Sequence, residues 1–304
     1  MRETPTEPQD WQSTDPGDGG FSEPDRRRWD GGRAILFFVL TAFASMLLGV
    51  ALFVPLGFYG SVIIAEAMAF GAIPMAVCAL FATGWRQWTA KSRMSPGTWV
   101  WAILSVLSFA VAQSNLPVLF DRVYPIPTSQ LQMFKEYLTA QSPYEMLRLL
   151  AVAALIPALF EEFSFRGVIQ AGLRDTYGPR HAVIWTGFLF ALLHLNPWNF
   201  LGLWSFGCLL GYLVERTGSI RPAILLHMLN NTMALIVFSV QGRDQWDERP
   251  EFIPWYWTLL AGAVLILSIR ELHRLTSDPA RTSGMVSAVD ATGAPDPFDH
   301  PPAR

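Results

Sequence analysis

The chain predicts an all-α fold, a polytopic membrane helix bundle of about eight transmembrane helices, and three observations predict it. Of its 304 residues, 51% are hydrophobic and only 15% charged, against about 25% charged in soluble domains. Apolar runs able to cross a ~30 Å hydrocarbon core fall at about 34–54, 62–84, 98–120, 146–173, 181–197, 199–215, 222–240 and 253–270. Lys and Arg alternate across the connections. One side holds Arg26–Arg28, Arg33, Arg86, Lys91, Arg93, Arg174, Arg180, Arg216, Arg221, Arg270, Arg274 and Arg281, the other only Arg122, Lys135, Arg148, Arg243 and Arg249. The basic side marks the cytoplasm, so an even span count puts both termini there and makes the chain an integral membrane protein, of the plasma membrane.

Residues 1–33 are rich in Pro, Gly, Asp and Glu, lack an apolar stretch and end in a basic cluster. They read as a disordered cytoplasmic tail, not a signal peptide. Residues 34–145 hold the first membrane helices and an external amphipathic segment, 146–240 the functional core, and 241–274 the last span. Residues 275–304 repeat the tail composition. A net charge of −3 gives no reason to expect nucleic acid as a partner. Cys78 and Cys208 lie in apolar runs and read as small core hydrophobes. Trp85, Trp88, Trp99 and Trp101 read as an interfacial belt.

Between the third and fourth spans, Leu131, Phe134 and Leu138 share a helical face, which predicts a short helix on the outer surface within Asp121–Ser142. Ser142, Pro143 and Glu145 then form a helix-start signal, an N-cap, a first-turn proline and an acid three residues on. Pro157 predicts a bend four residues before Glu161. Asn196-Pro197 predicts a tight turn between the fifth and sixth helices.

The fourth run carries LIPALFEEFSFR, residues 155–166, with Glu161, Glu162 and Arg166 in an otherwise apolar context. Ionisable groups at that depth cost roughly 2.5–3.5 kcal/mol each on insertion scales, so they mark function. Glu162 and Arg166 are four apart in the favourable order for an ion pair, which leaves Glu161 turned toward a cavity. Downstream, His194 closes FALLH, and His227 shares a helical face with Asn231 in HMLNN. A Glu and a His can activate water, while a second His and a neutral amide can stabilise a tetrahedral intermediate. Glu66 has no partner in the sequence and reads as a protonated packing or gating residue. His181 reads as interfacial; His273 and His300 lie in polar ends.

EEFSFR, FALLH and HMLNN match, in order, the E-E-x-x-x-R, F-x-x-x-H and H-x-x-x-N motifs. Over about 145–240 the chain therefore resembles the CPBP intramembrane proteases, the type II CAAX prenyl endopeptidases and bacterial relatives that include bacteriocin-immunity proteins. The resemblance implies an intramembrane endopeptidase acting on a membrane-anchored or membrane-embedded peptide in the lipid bilayer. Glu161 would activate water with help from His194, His227 and Asn231 would form the oxyanion hole, and Glu162 and Arg166 would support the first motif. No cofactor is expected. The family has also been described as metalloproteases, and Glu161, His194 and His227 would make a two-His, one-carboxylate zinc set. A non-catalytic scaffold or immunity factor, or a proton-coupled transporter, would draw on the same polar residues.

One geometric requirement stands out. At ~1.5 Å per residue, Glu161 and His194 lie about 20 Å from the cytoplasmic ends of their helices and His227 only about 8 Å. The site closes only if the Thr217–Pro222 connection dips into the bundle or the helices tilt strongly.

Overall fold

A computed structural model describes residues 29–81, 94–241 and 251–277, which are helical with no strand among them. Residues 1–28 and 278–304 of the two expected tails, with Arg86, Lys91, Arg93, Arg243, Arg249, Trp85 and Trp88, lie outside the described residues, whereas Gly31–Arg33 already open the first helix and Thr276 ends the last. We label the helices α1 (Gly31–Ala65), α2 (Ile73–Phe81), α3 (Pro96–Gln113), α4 (Asn115–Val123), α5 (Thr128–Tyr137) and α6 (Pro143–Leu149). They continue with α7 (Ile156–Ser164), α8 (Gln170–Leu193), α9 (Phe200–Thr217), α10 (Arg221–Gln241) and α11 (Trp255–Thr276). Three π-helical stretches, Glu66–Ala72, Leu150–Leu155 and Phe165–Ile169, join α1 to α2, α6 to α7 and α7 to α8.

Among the described residues, four helical runs are long and apolar enough to cross a membrane: Gly31–Phe81, Pro96–Val123, Arg221–Val240 and Trp255–Thr276. The first has 51 residues, a length of ~75 Å if straight, far beyond one hydrocarbon core. Gly57 breaks it at φ 69°, ψ −178°, a left-handed angle that only glycine adopts without strain, two residues after Pro55. The chain folds back there, so that Phe81 packs on Trp29 with ring centroids 5.2 Å apart. Gly178 (φ 79°) and Pro179 break α8 in the same way. Both halves of α8 meet α9, Gln170 from one side and Val183 from the other approaching Gly211. The expected loops at these two places are thus reduced to a single glycine with a nearby proline.

The local signals translate directly. Ser142 Oγ accepts from the Glu145 amide at 3.2 Å, and the Glu145 carboxylate accepts from the Gln141 amide at 2.7 Å. The reciprocal bond lands one residue earlier than in a standard capping box. The external helix is α5; it buries none of its residues, and Tyr137 stacks on Phe58 at 4.5 Å beside the α1 break. Asn196 caps a short 3₁₀ turn, Pro197–Asn199. Trp101 packs against the main core, and Cys78 is fully buried in it.

The α9–α10 connection, on which the depth requirement falls, is largely buried. Thr217, Ser219 and Ile220 are buried, and Gly218 turns the chain at φ 64°. The turn satisfies its own polar groups: Thr217 Oγ1 donates to the Leu213 carbonyl and accepts from the Ser219 amide, and Ser219 Oγ accepts from the Arg221 amide. Backbone without a helical ladder is tolerated inside protein when it is bonded in this way. The connection is thus packed against the rest of the protein, ahead of the buried His227.

Candidate active site

The polar core is assembled from α7, α8, α9 and α10. Glu162 and Arg166 are fully buried, and Arg166 Nη1 donates to Glu162 Oε1 at 2.7 Å, the expected i, i+4 pair. His227 is 2% exposed, and its Nδ1 lies 2.8 Å from the same Glu162 Oε1. Because an ionised carboxylate only accepts, Nδ1 is the nitrogen that carries the proton. His227 Nε2 then points at Glu161 Oε2, 3.9 Å away, too long for a direct hydrogen bond and the right span for an intervening group. His227 thus stands between the two glutamates, one ring nitrogen to each.

Glu161 is itself 6% exposed, and its Oε2 has no hydrogen-bond partner among the described residues. Glu162 likewise has an Oε2 without a hydrogen-bond partner among the described residues, and the two neighbours differ in that Oε1 of Glu162 takes a guanidinium and an imidazole. About 100° of rotation per helical residue separates them in this way.

Phe190, the first residue of FALLH, fixes both histidines. Its ring lies 4.7 Å from that of His194 and 5.6 Å from that of His227, and the Arg166 guanidinium sits 5.0 Å from its centre. His194 ends α8 as its C-cap and holds Nδ1 against the Phe190 carbonyl at 2.8 Å, so Nε2 is its outward nitrogen. The next residue, Leu195, takes φ 46°, a strained angle for a branched side chain of the kind that collects at functional sites. Asn231 Nδ2 donates to the Ala153 carbonyl at 3.3 Å. In an α-helix that carbonyl would accept from residue 157, which is Pro157 and has no N–H. The proline that marks a bend thus also leaves an acceptor for Asn231.

Sequence reasoning passed over a second row of contacts. Arg166 Nη2 donates to the Gly207 carbonyl at 3.0 Å, and Gln170 Nε2 donates to the Gly211 carbonyl at 3.1 Å and to Glu215 at 2.8 Å. Glu162, Arg166 and Gln170 are spaced four apart on one helix, and Gly207 and Gly211 four apart on the other, a pairing visible in the sequence once both stripes are compared. A Cβ on Gly207 would lie 2.7 Å from Gly187 Cα and 3.1 Å from its carbonyl oxygen, so the helices touch backbone to backbone. Gly207→Ala is expected to destabilise the protein by about 1–3 kcal/mol through overpacking and to move the carbonyl that holds Arg166. A thermal unfolding curve in detergent checks it, and an unchanged midpoint would show that the close approach is dispensable.

Among the described residues no group of three or more His, Cys, Asp or Glu side chains is placed to hold a metal ion. His227 Nδ1 is held by Glu162 and His194 Nδ1 by the Phe190 carbonyl, which leaves Nε2 as the remaining nitrogen of each ring. The residues as placed do not form the zinc set, and no step is derived through a metal.

Four runs of spanning length and an ion-paired polar core make this an integral membrane protein. Residues 143–233, about a third of the chain, match the family model described as type II CAAX prenyl endopeptidase Rce1-like, and the match falls on the segment that carries the three motifs. No curated protein and no solved structure matches the chain.

Proposed function

We propose that the protein is an intramembrane endopeptidase that hydrolyses a peptide bond of a membrane-anchored or membrane-embedded protein by direct attack of water, without a metal. Glu161 is the base, assisted by His194. His227 and Asn231 stabilise the oxyanion, and Glu162 with Arg166 holds the first motif and the His227 ring. The eight helical runs, counted with the breaks at Gly57 and Gly178, are eight spans with both termini in the cytoplasm.

The observation that carries this reading is the unengaged Glu161 oxygen, 3.9 Å from His227 Nε2, inside the segment that matches the endopeptidase family. Oε1 of Glu162 is held by Arg166 and His227, while Glu161 has its Oε2 free beside the second nitrogen of that imidazole, and a base needs one oxygen free for water. A developing oxyanion would gain about 2.7–4 kcal/mol per well-placed donor, from Asn231 Nδ2 and from His227 Nε2 when the imidazole carries its second proton. Phe190, Phe206 and Phe165 pack around the site and keep bulk water away, which strengthens each of these interactions.

The test is a comparison of the membrane proteomes of cells carrying wild type and Glu161→Ala at equal membrane levels. One or more membrane proteins should accumulate uncleaved in the variant. Identical proteomes, with cleavage of a prenylated CAAX peptide by both proteins in proteoliposomes, would remove Glu161 from the mechanism.

A further inference from the structure

Gly207 turns its carbonyl to Arg166, and the next residue of α9, Cys208, lines a cleft of about 710 Å³ between α3, α8, α9 and α11. The α9 wall of this cleft runs from Leu201 through Ser205 and Cys208 to Tyr212, residues that share one helical face. That stretch measures about 16 Å at the helical rise, half of a ~30 Å hydrocarbon core. The polar atoms of the wall are committed inside the protein. Ser205 Oγ donates to the Leu201 carbonyl at 2.7 Å, Trp204 Nε1 to the Ile184 carbonyl at 3.1 Å and Cys208 Sγ to the Val183 carbonyl at 3.7 Å. What fills the cleft is therefore apolar.

One end of the cleft is basic. On α9 Arg216 stands four residues beyond Tyr212, on α11 His273 four beyond Ile269, and on α8 Arg180 three before Val183. Each spacing keeps the pair on one face of its helix. The Tyr212 hydroxyl meets His273 Nδ1 at 3.2 Å and Arg216 Nε donates to Thr276 Oγ1 at 2.9 Å, so α9 and α11 come together there. Gly207 lies against Gly187 and Gly211 against Val183, an antiparallel register that continues to Arg180 beside the last turn of α9. The acids of this end are already paired, Glu215 with Arg174 at 3.5 Å and Glu271 with Arg274 at 2.6 Å. Arg180 and Arg216 have no carboxylate partner among the described residues.

We propose that this cleft binds an anionic phospholipid of the bilayer, with one acyl chain along α9 and the phosphate held by Arg216 and Arg180. A length of half the hydrocarbon core suits a chain from one leaflet, and the two guanidinium groups stand one turn beyond its end. A lipid chain leaves other hydrocarbon when it enters the cleft, so the cleft adds packing and no transfer from water. The head group therefore decides which lipid stays. A phosphodiester brings a negative charge and acceptor oxygens that match the guanidinium fork. The proposal is independent of the reading of Glu161 as base, since none of these groups has a part in hydrolysis.

The experiment is native mass spectrometry of the full chain in detergent, titrated with dioleoyl phosphatidylglycerol, dioleoyl phosphatidylcholine or glycerol phosphate. Wild type should hold phosphatidylglycerol about 20-fold more tightly than phosphatidylcholine, two cations at about fivefold each. Arg180→Gln and Arg216→Gln should each lower that preference about fivefold. Ser205→Trp and Leu265→Trp, which fill the cleft from two different helices, should lose the phosphatidylglycerol adduct. Glycerol phosphate, which has no chain, should not bind. Equal retention of the two lipids, a preference unchanged in both arginine variants, or an adduct that survives both tryptophan variants overturns the proposal. So does glycerol phosphate bound as tightly as the lipid, or displacement of the lipid by a farnesylated CAAX peptide, which would give the cleft to the substrate. The arginine variants leave the wall as it is, so the head-group result stands even where a filled cleft fails to fold.

Discussion

Glu161→Gln is expected to lower the rate of peptide cleavage by about 10²–10⁴-fold, the contribution of a positioned general base, while leaving the fold intact. Gln has the same shape and keeps an oxygen, but it cannot take a proton from water. The stability side follows from the surroundings of the side chain. Glu161 Oε2 has no partner among the described residues, so the substitution removes no bonded group, and the change should stay within about 1 kcal/mol. A burst-free progress curve with wild-type KM, next to a wild-type thermal midpoint, is the expected pair of results. Cleavage at the wild-type rate would transfer the role of base to another residue, and His194 would be the first to examine.

Glu162→Ala is expected to act in the opposite sense, through stability first. The substitution leaves the Arg166 guanidinium fully buried without its carboxylate and removes the partner of His227 Nδ1 at the same time. Breaking one side of a buried ion pair costs about 3–5 kcal/mol. The lost carboxylate also frees the His227 ring, so cleavage should fall along with the thermal midpoint. The double substitution Glu162→Leu with Arg166→Leu should recover much of that stability and none of the activity, because an apolar pair needs no desolvation. A double variant as unstable as the single one would mean that the pair acts mainly by shape. Together the two glutamates give a separable prediction: adjacent acids, one substitution silent in stability and the other not.

The contrast between these neighbours shows how much the sequence disclosed. The i, i+4 spacing of Glu162 and Arg166 is a one-helix relation, and it appears as a 2.7 Å pair. The same reasoning separated Glu161 from it by rotation alone. The N-cap at Ser142 and the turn at Asn196-Pro197 are short-range chemistry and were equally legible. His227 was legible as a candidate but not in its contacts. A count along one helix gave its distance from the start of that helix and nothing of the ring's partners, Glu162 and Glu161. Gly207 and Gly211 were unremarkable glycines until α9 lay against α8 and their carbonyls met Arg166 and Gln170.

By itself, the amino-acid sequence determined that this is a helical membrane protein, where most of its helices run, and which acids, imidazoles and amide could serve a water-activating site. Those properties depend on hydropathy, on caps and on residues within two helical turns of one another, all of which are local. Only the tertiary structure decided that His227 turns Nδ1 to Glu162 and Nε2 to Glu161. Such relations depend on how helices approach and on where π-helical stretches rotate them. The energy of that approach is spread over many glycine and phenylalanine contacts, no one of which carries a signal in the sequence.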